Sequence, residues 1–174
     1  MAVVRNIQIK LDVAEDDHSV LDEAFEQFRY AAQHVADYGW SDDPTQIIDS
    51  KSKLNDTTYA GVRAETDLTA NHVQAARSLA ANALGNCKDR ILEDGKKASK
   101  PNFRGSVVVY DARTITYNDD HCTLSTVDGR IIADYVLPDE SCGRHLRNTG
   151  RTMTGNEGRL RFTSAMGRTT CTSR

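Results

Sequence analysis

The chain has 174 residues, 39% of them hydrophobic and 27% charged, with a formal net charge of −3. That length can bury one ordinary domain, or one compact domain plus an insertion. No apolar run approaches the roughly 18 residues of a membrane span, and the start lacks a signal peptide's apolar h-region, so a cytoplasmic protein with no membrane partner is expected.

From the N-terminus, "VVRNIQIKLDV" (3–13) places Val4, Ile7, Ile9 and Leu11 on one apolar face of a strand. Next, Leu21, Ala24, Phe25, Phe28, Ala31, Ala32 and Val35 recur every three or four residues, the stripe of an amphipathic helix of about six turns. Asp16 and Asp17 suit the positive start of that helix, Gly39 its end, and "SDDP" a polar turn. A shorter helix is expected over roughly 58–66, capped by Asn55 or Asp56. A longer one follows Thr69, with Val73, Ala76, Ala80, Ala83, Leu84, Cys87 and Ile91 on its apolar side and Gly95 as its stop.

After the basic link "KKASKPNFRG" (96–105) the hydrophobic period changes from that of a helix to that of a strand. "SVVVY", "RTITY", "HCTLSTV" and "RIIADYVL" are β-rich runs, and Asp128-Gly129 between the last two is the strongest hairpin signal in the chain. A strand, then helices, then several strands imply an α+β protein. In such a plan a small antiparallel barrel or sheet is interrupted after its first strand by a helical insertion.

The common catalytic templates are absent. There is no Gly-x-x-x-x-Gly-Lys loop, no Gly-x-Gly-x-x-Gly, no His-Glu-x-x-His and no Gly-x-Ser-x-Gly. Asp119-Asp120-His121 has metal-ligand residue types, but neighbours on a strand point to opposite faces, and a solvated turn explains them better. Asp16-Asp17-His18 is better explained as a helix start, and Asp42-Asp43-Pro44 as a turn. The four cysteines, Cys87, Cys122, Cys142 and Cys171, form no Cys-x-x-Cys pair and are expected to be free thiols. No catalytic residue, metal or cofactor is expected.

Two groups suit nucleic acid. Lys88, Arg90, Lys96, Lys97, Lys100 and Arg104 set six bases against Asp89, Glu93 and Asp94, in an otherwise acidic body. On spacing alone, a helix C-terminus followed by a solvated linker accounts for them better. Asn71, Gln74, Arg77, Ser78 and Asn82 are expected opposite the apolar stripe of the long helix, where Asn, Gln and Arg could contact base edges. An ordinary wet helix face has the same composition. Tyr59 could stack or bond a phosphate, or could sit in a helix seam.

The stretches "LTANHVQAARSLAANAL" (68–84), Lys100-Pro101-Asn102-Phe103, "VVYDARTITYNDDH" (108–121) and "LSTVDGRIIADYVLP" (124–138) resemble the N-terminal part of TnpB proteins. These are transposon-encoded, RNA-guided DNA endonucleases related to type V CRISPR effectors. The likeness is greatest to haloarchaeal members, in keeping with 18 aspartates against 7 glutamates, and it extends more loosely over residues 3–138. It implies an incomplete oligonucleotide-binding-type β-barrel at 1–13 and 101–140, a helical recognition domain at 14–100, and guide RNA and DNA as partners. It also implies that Tyr59, Asn71, Gln74 and Arg77 face a target-adjacent motif, and that Lys96, Lys97, Lys100 and Arg104 meet RNA backbone, with guide pairing supplying most of the specificity. The family's nuclease domain, with its three acidic metal ligands, and the adjoining zinc module have no counterpart here. A truncated, non-catalytic nucleic-acid binder is therefore expected.

The end of the chain departs from this pattern. Residues 1–140 carry 24 acids against 15 bases, a balance of −9, whereas residues 141–174 carry one acid against seven arginines, a balance of +6. The likeness stops after "YVLPDES" (135–141). Read two nucleotides later, the codons permitted for 160–174 include two alternating strands about an Asp-Gly turn. The expectation is an out-of-frame, disordered tail at 141–174, in a fragment or in the frameshifted reading of a full-length nuclease gene. A non-catalytic structural or regulatory module is the alternative, and it expects a folded tail.

Overall fold

The computed structural model of the chain describes residues 8–136, 160–165 and 168–173. Val4 and Ile7 of the expected first strand, Cys142, and the rest of the expected barrel end and tail lie outside these residues. The protein is α+β and divides into two compact units, one formed by 1–25 with 106–174 and the other by 26–105. No helix among the described residues is long and apolar enough to cross a membrane.

Three helices are described: α1 (His18–Gly39), α2 (Lys51–Glu65) and α3 (Ala70–Leu92). Every residue of the stripe expected for α1 is buried, from Leu21 at 4% exposure to Ala31 and Ala32 at 0%. Asp16 and Asp17 lie in a single 3-10 turn just before α1 rather than in its first turn. Gly39 is not a left-handed cap, because its φ is not positive. It is the last helical residue, and a β-carbon there would lie 2.5 Å from Leu84 Cδ1 and 2.8 Å from Ile48 O, so only glycine allows this close approach.

α2 begins at Lys51, about two turns before the expected start. Its buried face is Leu54, Thr58 and Val62. The threonine in the middle of that stripe, a poor helix former, obscures the period. Buried Thr58 and Thr66 satisfy their hydroxyls by donating to Leu54 O at 2.6 Å and Val62 O at 2.7 Å. α3 starts as expected, with Thr69 Oγ1 accepting from the His72 N–H at 3.3 Å. It ends at Leu92, and Gly95, at φ +62°, lets the Lys96 N–H return to Arg90 O at 3.0 Å.

In the unit that holds the strands and residues 18–25 of α1, β1 (Gln8–Val13), β2 (Ser106–Tyr110), β3 (Ile115–Tyr117), β4 (His121–Thr126) and β5 (Gly129–Val136) precede two further strands. β1, β5, β4 and β3 lie side by side in that order as an antiparallel sheet. The expected hairpin joins β4 to β5, with Thr126 opposite Gly129, whose φ of +103° closes the two-residue turn Val127–Asp128. Leu11, Val13, Ile115, Cys122, Leu124, Ile131 and Ala133 are buried, and the alternate residues of β5 are exposed.

Twelve residues of the expected tail are described as strand. β6 (Leu160–Ala165) and β7 (Arg168–Ser173) pair with each other, β6 with β2, and β7 with β1, for example Ile9 with Cys171. The physical basis is local: threonine recurs at 163, 169, 170 and 172, and β-branched residues favour a pleated backbone even in a polar segment. The full strand order is then β2-β6-β7-β1-β5-β4-β3, an open series among the described residues.

Candidate nucleic-acid interface

The structure separates the eight candidate residues into two patches, both in the unit spanning 26–105. The first lies along α2 and the first half of α3. Gln74 is exposed, and Asn71 and Tyr59 are half-buried. Arg77 does not project from the wet face as expected. It stands four residues from each of Val73 and Ala81, both buried, so the helical period itself carries it to the seam. There its Nη1 donates to Asn55 Oδ1 on α2 at 2.7 Å. Ser78, assigned to the same wet face, is buried at 7% exposure and donates to Gln74 O at 2.9 Å. Tyr59 lies one turn beyond Asn55 on the same face of α2. What this patch leaves accessible is therefore Gln74, with Asn71 and Tyr59 in part and Asn82 farther along, while Arg77 is engaged with α2.

The second patch is the connector from α3 to β2. Lys96, Lys97, Lys100 and Arg104 are all exposed, while Ala98, Pro101 and Phe103 are half-buried. The apolar groups are thus the more covered part of the segment and the cations the more exposed part. Lys96 Nζ pairs with Asp94 Oδ2 at 3.2 Å, and Lys100 Nζ pairs with Asp37 Oδ1 at 2.8 Å. Exposed pairs of this type are worth about 0–1 kcal/mol and yield readily to a competing anion. The hydrogen bond from Lys100, aided by the Gln33 amide, holds the Asp37 carboxyl below its usual range. Lys88, also basic in the sequence, is turned toward Asp49 Oδ1 at 3.3 Å and Ile47 O at 3.5 Å. The hollow beside the connector, lined by Asn86, Asp89, Arg90, Glu93, Asp94 and Lys96, has more acids than bases. Of the four exposed cations Lys96 borders that hollow, while Lys97, Lys100 and Arg104 stand outside its lining.

Gln33 and Asp37, the residues of α1 that meet the connector, are not distinguished by sequence. A glutamine and an aspartate on the polar side of an amphipathic helix carry no local signal, because their partners lie more than 60 residues away. Asp119 and Asp120 form the expected turn, and His121 opens β4. His121 Nδ1 meets Asp120 Oδ1 at 2.6 Å, its Nε2 meets Asn118 Nδ2 at 2.9 Å, and Asp120 is held low by that histidine. No group of three or more potential ligands that could hold a metal ion occurs among the described residues. Cys87 and Cys122 are free thiols, both raised above the usual thiol range by burial. No known protein-family model matches the chain, and no curated protein matches it.

Proposed function

We propose that the chain binds nucleic acid as the barrel-and-recognition portion of a TnpB-like protein, gripping guide RNA and target-adjacent DNA without cutting either. The observation that carries this reading is the connector, where four exposed cations lie on a segment whose apolar residues are half-buried. Two things add to it: the likeness at 68–84, 100–103, 108–121 and 124–138, and the pairing of β1 with β5 across the intervening helices. That pairing is the order an interrupted oligonucleotide-binding barrel would need. In this reading Lys96, Lys97, Lys100 and Arg104 meet RNA backbone, and Gln74, Asn71 and Tyr59 approach DNA. Arg77 takes part only if its bond to Asn55 opens.

One observation favours a second reading, a self-contained structural or regulatory module: the pairing of β6 and β7 into the sheet. Binding of the whole chain to a hairpin RNA and to duplex DNA, titrated across salt concentration, separates the two. The first reading expects RNA affinity that falls steeply as salt rises. A chain that is folded by circular dichroism yet binds neither nucleic acid at low salt leaves only the second.

A further inference from the structure

The connector between α3 and β2 has no regular secondary structure, yet it is tied down at successive points. Cys87 Sγ approaches Ser99 O at 3.6 Å, and Lys100 Nζ reaches Asp37 Oδ1 at 2.8 Å. Gln33 Nε2 donates to Pro101 O at 3.2 Å and to Asp37 Oδ1 at 2.9 Å, while Gln33 Oε1 accepts the Phe103 N–H at 3.0 Å. A side-chain amide has two N–H donors and one carbonyl acceptor, and here all have partners, so its orientation follows from the network. By bonding a carbonyl and the N–H two residues on, Gln33 acts on the connector as one rung of a neighbouring strand would. α1 uses the same device one and a half turns earlier. Gln27 Oε1 accepts the Asp67 N–H at 2.8 Å in the link between α2 and α3.

We infer that Gln33 is a positioning residue that locks the Lys100–Phe103 stretch onto α1, making Lys100 and Arg104 a fixed array for a nucleic-acid backbone with Asp37 as a built-in competitor for Lys100. The binding half of this inference rests on the function proposed above; the lock does not. A fixed array loses less conformational freedom on binding than a loose tether. Arg104 follows directly on the locked Phe103 amide, and Lys100 directly precedes the locked Pro101 carbonyl. Asp37, held ionised by Lys100 and Gln33, occupies the ammonium that a phosphate would otherwise take.

Two variants of the full chain, Gln33→Ala and Asp37→Asn, test this. Hydrogen exchange reads the lock: in Gln33→Ala the Phe103 amide should exchange about tenfold faster, and exchange at the wild-type rate overturns it. Affinity for a single-stranded oligouridylate, measured across salt, reads the array. Gln33→Ala should bind about three- to tenfold more weakly with a shallower salt dependence. Asp37→Asn keeps an Oδ1 for Gln33 but removes the acid beside Lys100, so it should bind about two- to fivefold more tightly. Equal losses in both variants that track a lowered melting temperature would make Gln33 a stabilising residue only and overturn the array. If the wild-type chain binds no RNA at any salt, the proposed function falls and the array with it, while the exchange rates still decide the lock.

Discussion

The helical unit and the sheet unit exclude water with different materials. In the helical unit Ala31, Ala32, Ala36, Ala76, Ala80 and Ala81 are buried, together with the larger Phe28, Leu54, Leu68 and Leu84. In the sheet, branched residues such as Val108, Ile115, Leu124 and Ile131 are buried beside Thr114, Ser125 and Thr126. Those hydroxyls need partners: Thr126 Oγ1 donates to Gly129 O at 3.1 Å, and Thr114 Oγ1 accepts the Asp111 N–H at 2.8 Å. Buried hydroxyls also occur among the helices, at Thr58, Thr66 and Ser78, so what separates the two units is the alanine-rich packing of the first against the branched apolar core of the second. An extra methyl should therefore do most damage where the helices approach closely.

The largest effect expected from that contrast is at Gly39. A methyl there would meet Leu84 Cδ1 at 2.5 Å, Ile48 O at 2.8 Å and Leu54 Cδ2 at 3.0 Å. Gly39→Ala should cost about 1–3 kcal/mol by overpacking. Gly61, inside α2, is the control: its added methyl would meet only His34 Nε2, at 3.8 Å. Gly61→Ala should stabilise by about 0.5–1 kcal/mol through helix propensity. Urea denaturation of both variants checks this. Shifts of the same sign would mean that the close approach at Gly39 does not limit packing.

The same contrast explains which parts of the fold are legible in the sequence. The α1 stripe is readable residue by residue because large and small apolar groups recur at one period over many turns. The β4–β5 hairpin is readable because a positive φ beside a tight turn leaves few alternatives to glycine. Arg77 misleads because its type, a long cation, suggests solvent, although its spacing from Val73 and Ala81 already puts it at the seam. Gln33 and Asp37 cannot be found in the sequence, since what distinguishes them is a backbone segment far along the chain. Within the tail, low apolar content suggests no structure, whereas the threonines there provide strand propensity that composition alone hides.

The next effect belongs to the sheet. Burial pushes the Cys122 thiol up to about 12 from the 9.0 of an exposed thiol, and the buried Tyr110 hydroxyl moves in the same direction. A folded-state pKa above the unfolded value means that the native state favours the protonated form. The stability this represents is intact below pH 9.0 and is lost as pH climbs from there toward about 12. Unfolding free energy should fall by about 1–2 kcal/mol between roughly pH 9 and 10.5. Cys122→Val should flatten that fall while leaving the contribution of Tyr110. A slope unchanged in the variant would show that the thiol is not the group being titrated.

The smallest expected effect is the most direct test of charge sensitivity in the sheet. The β1–β5 register sets Asp12 opposite Asp134, and both are exposed. On the far side of Asp134 stands His121, whose ring nitrogens are already engaged by Asp120 and Asn118. Two carboxylates facing each other across a pair of strands repel at close range, and replacing one should stabilise the sheet by about 0.2–1 kcal/mol at low salt. Asp12→Asn keeps the shape and removes the charge; Asp12→Thr also adds β propensity. If repulsion dominates, both variants gain at low salt. Both gains shrink toward 1 M salt, where screening acts within about 3 Å. A gain confined to Asp12→Thr and indifferent to salt would assign the effect to backbone preference instead. For a chain with 18 aspartates the distinction matters, because repulsion, unlike backbone preference, makes screening by added salt a stabiliser of the wild-type fold.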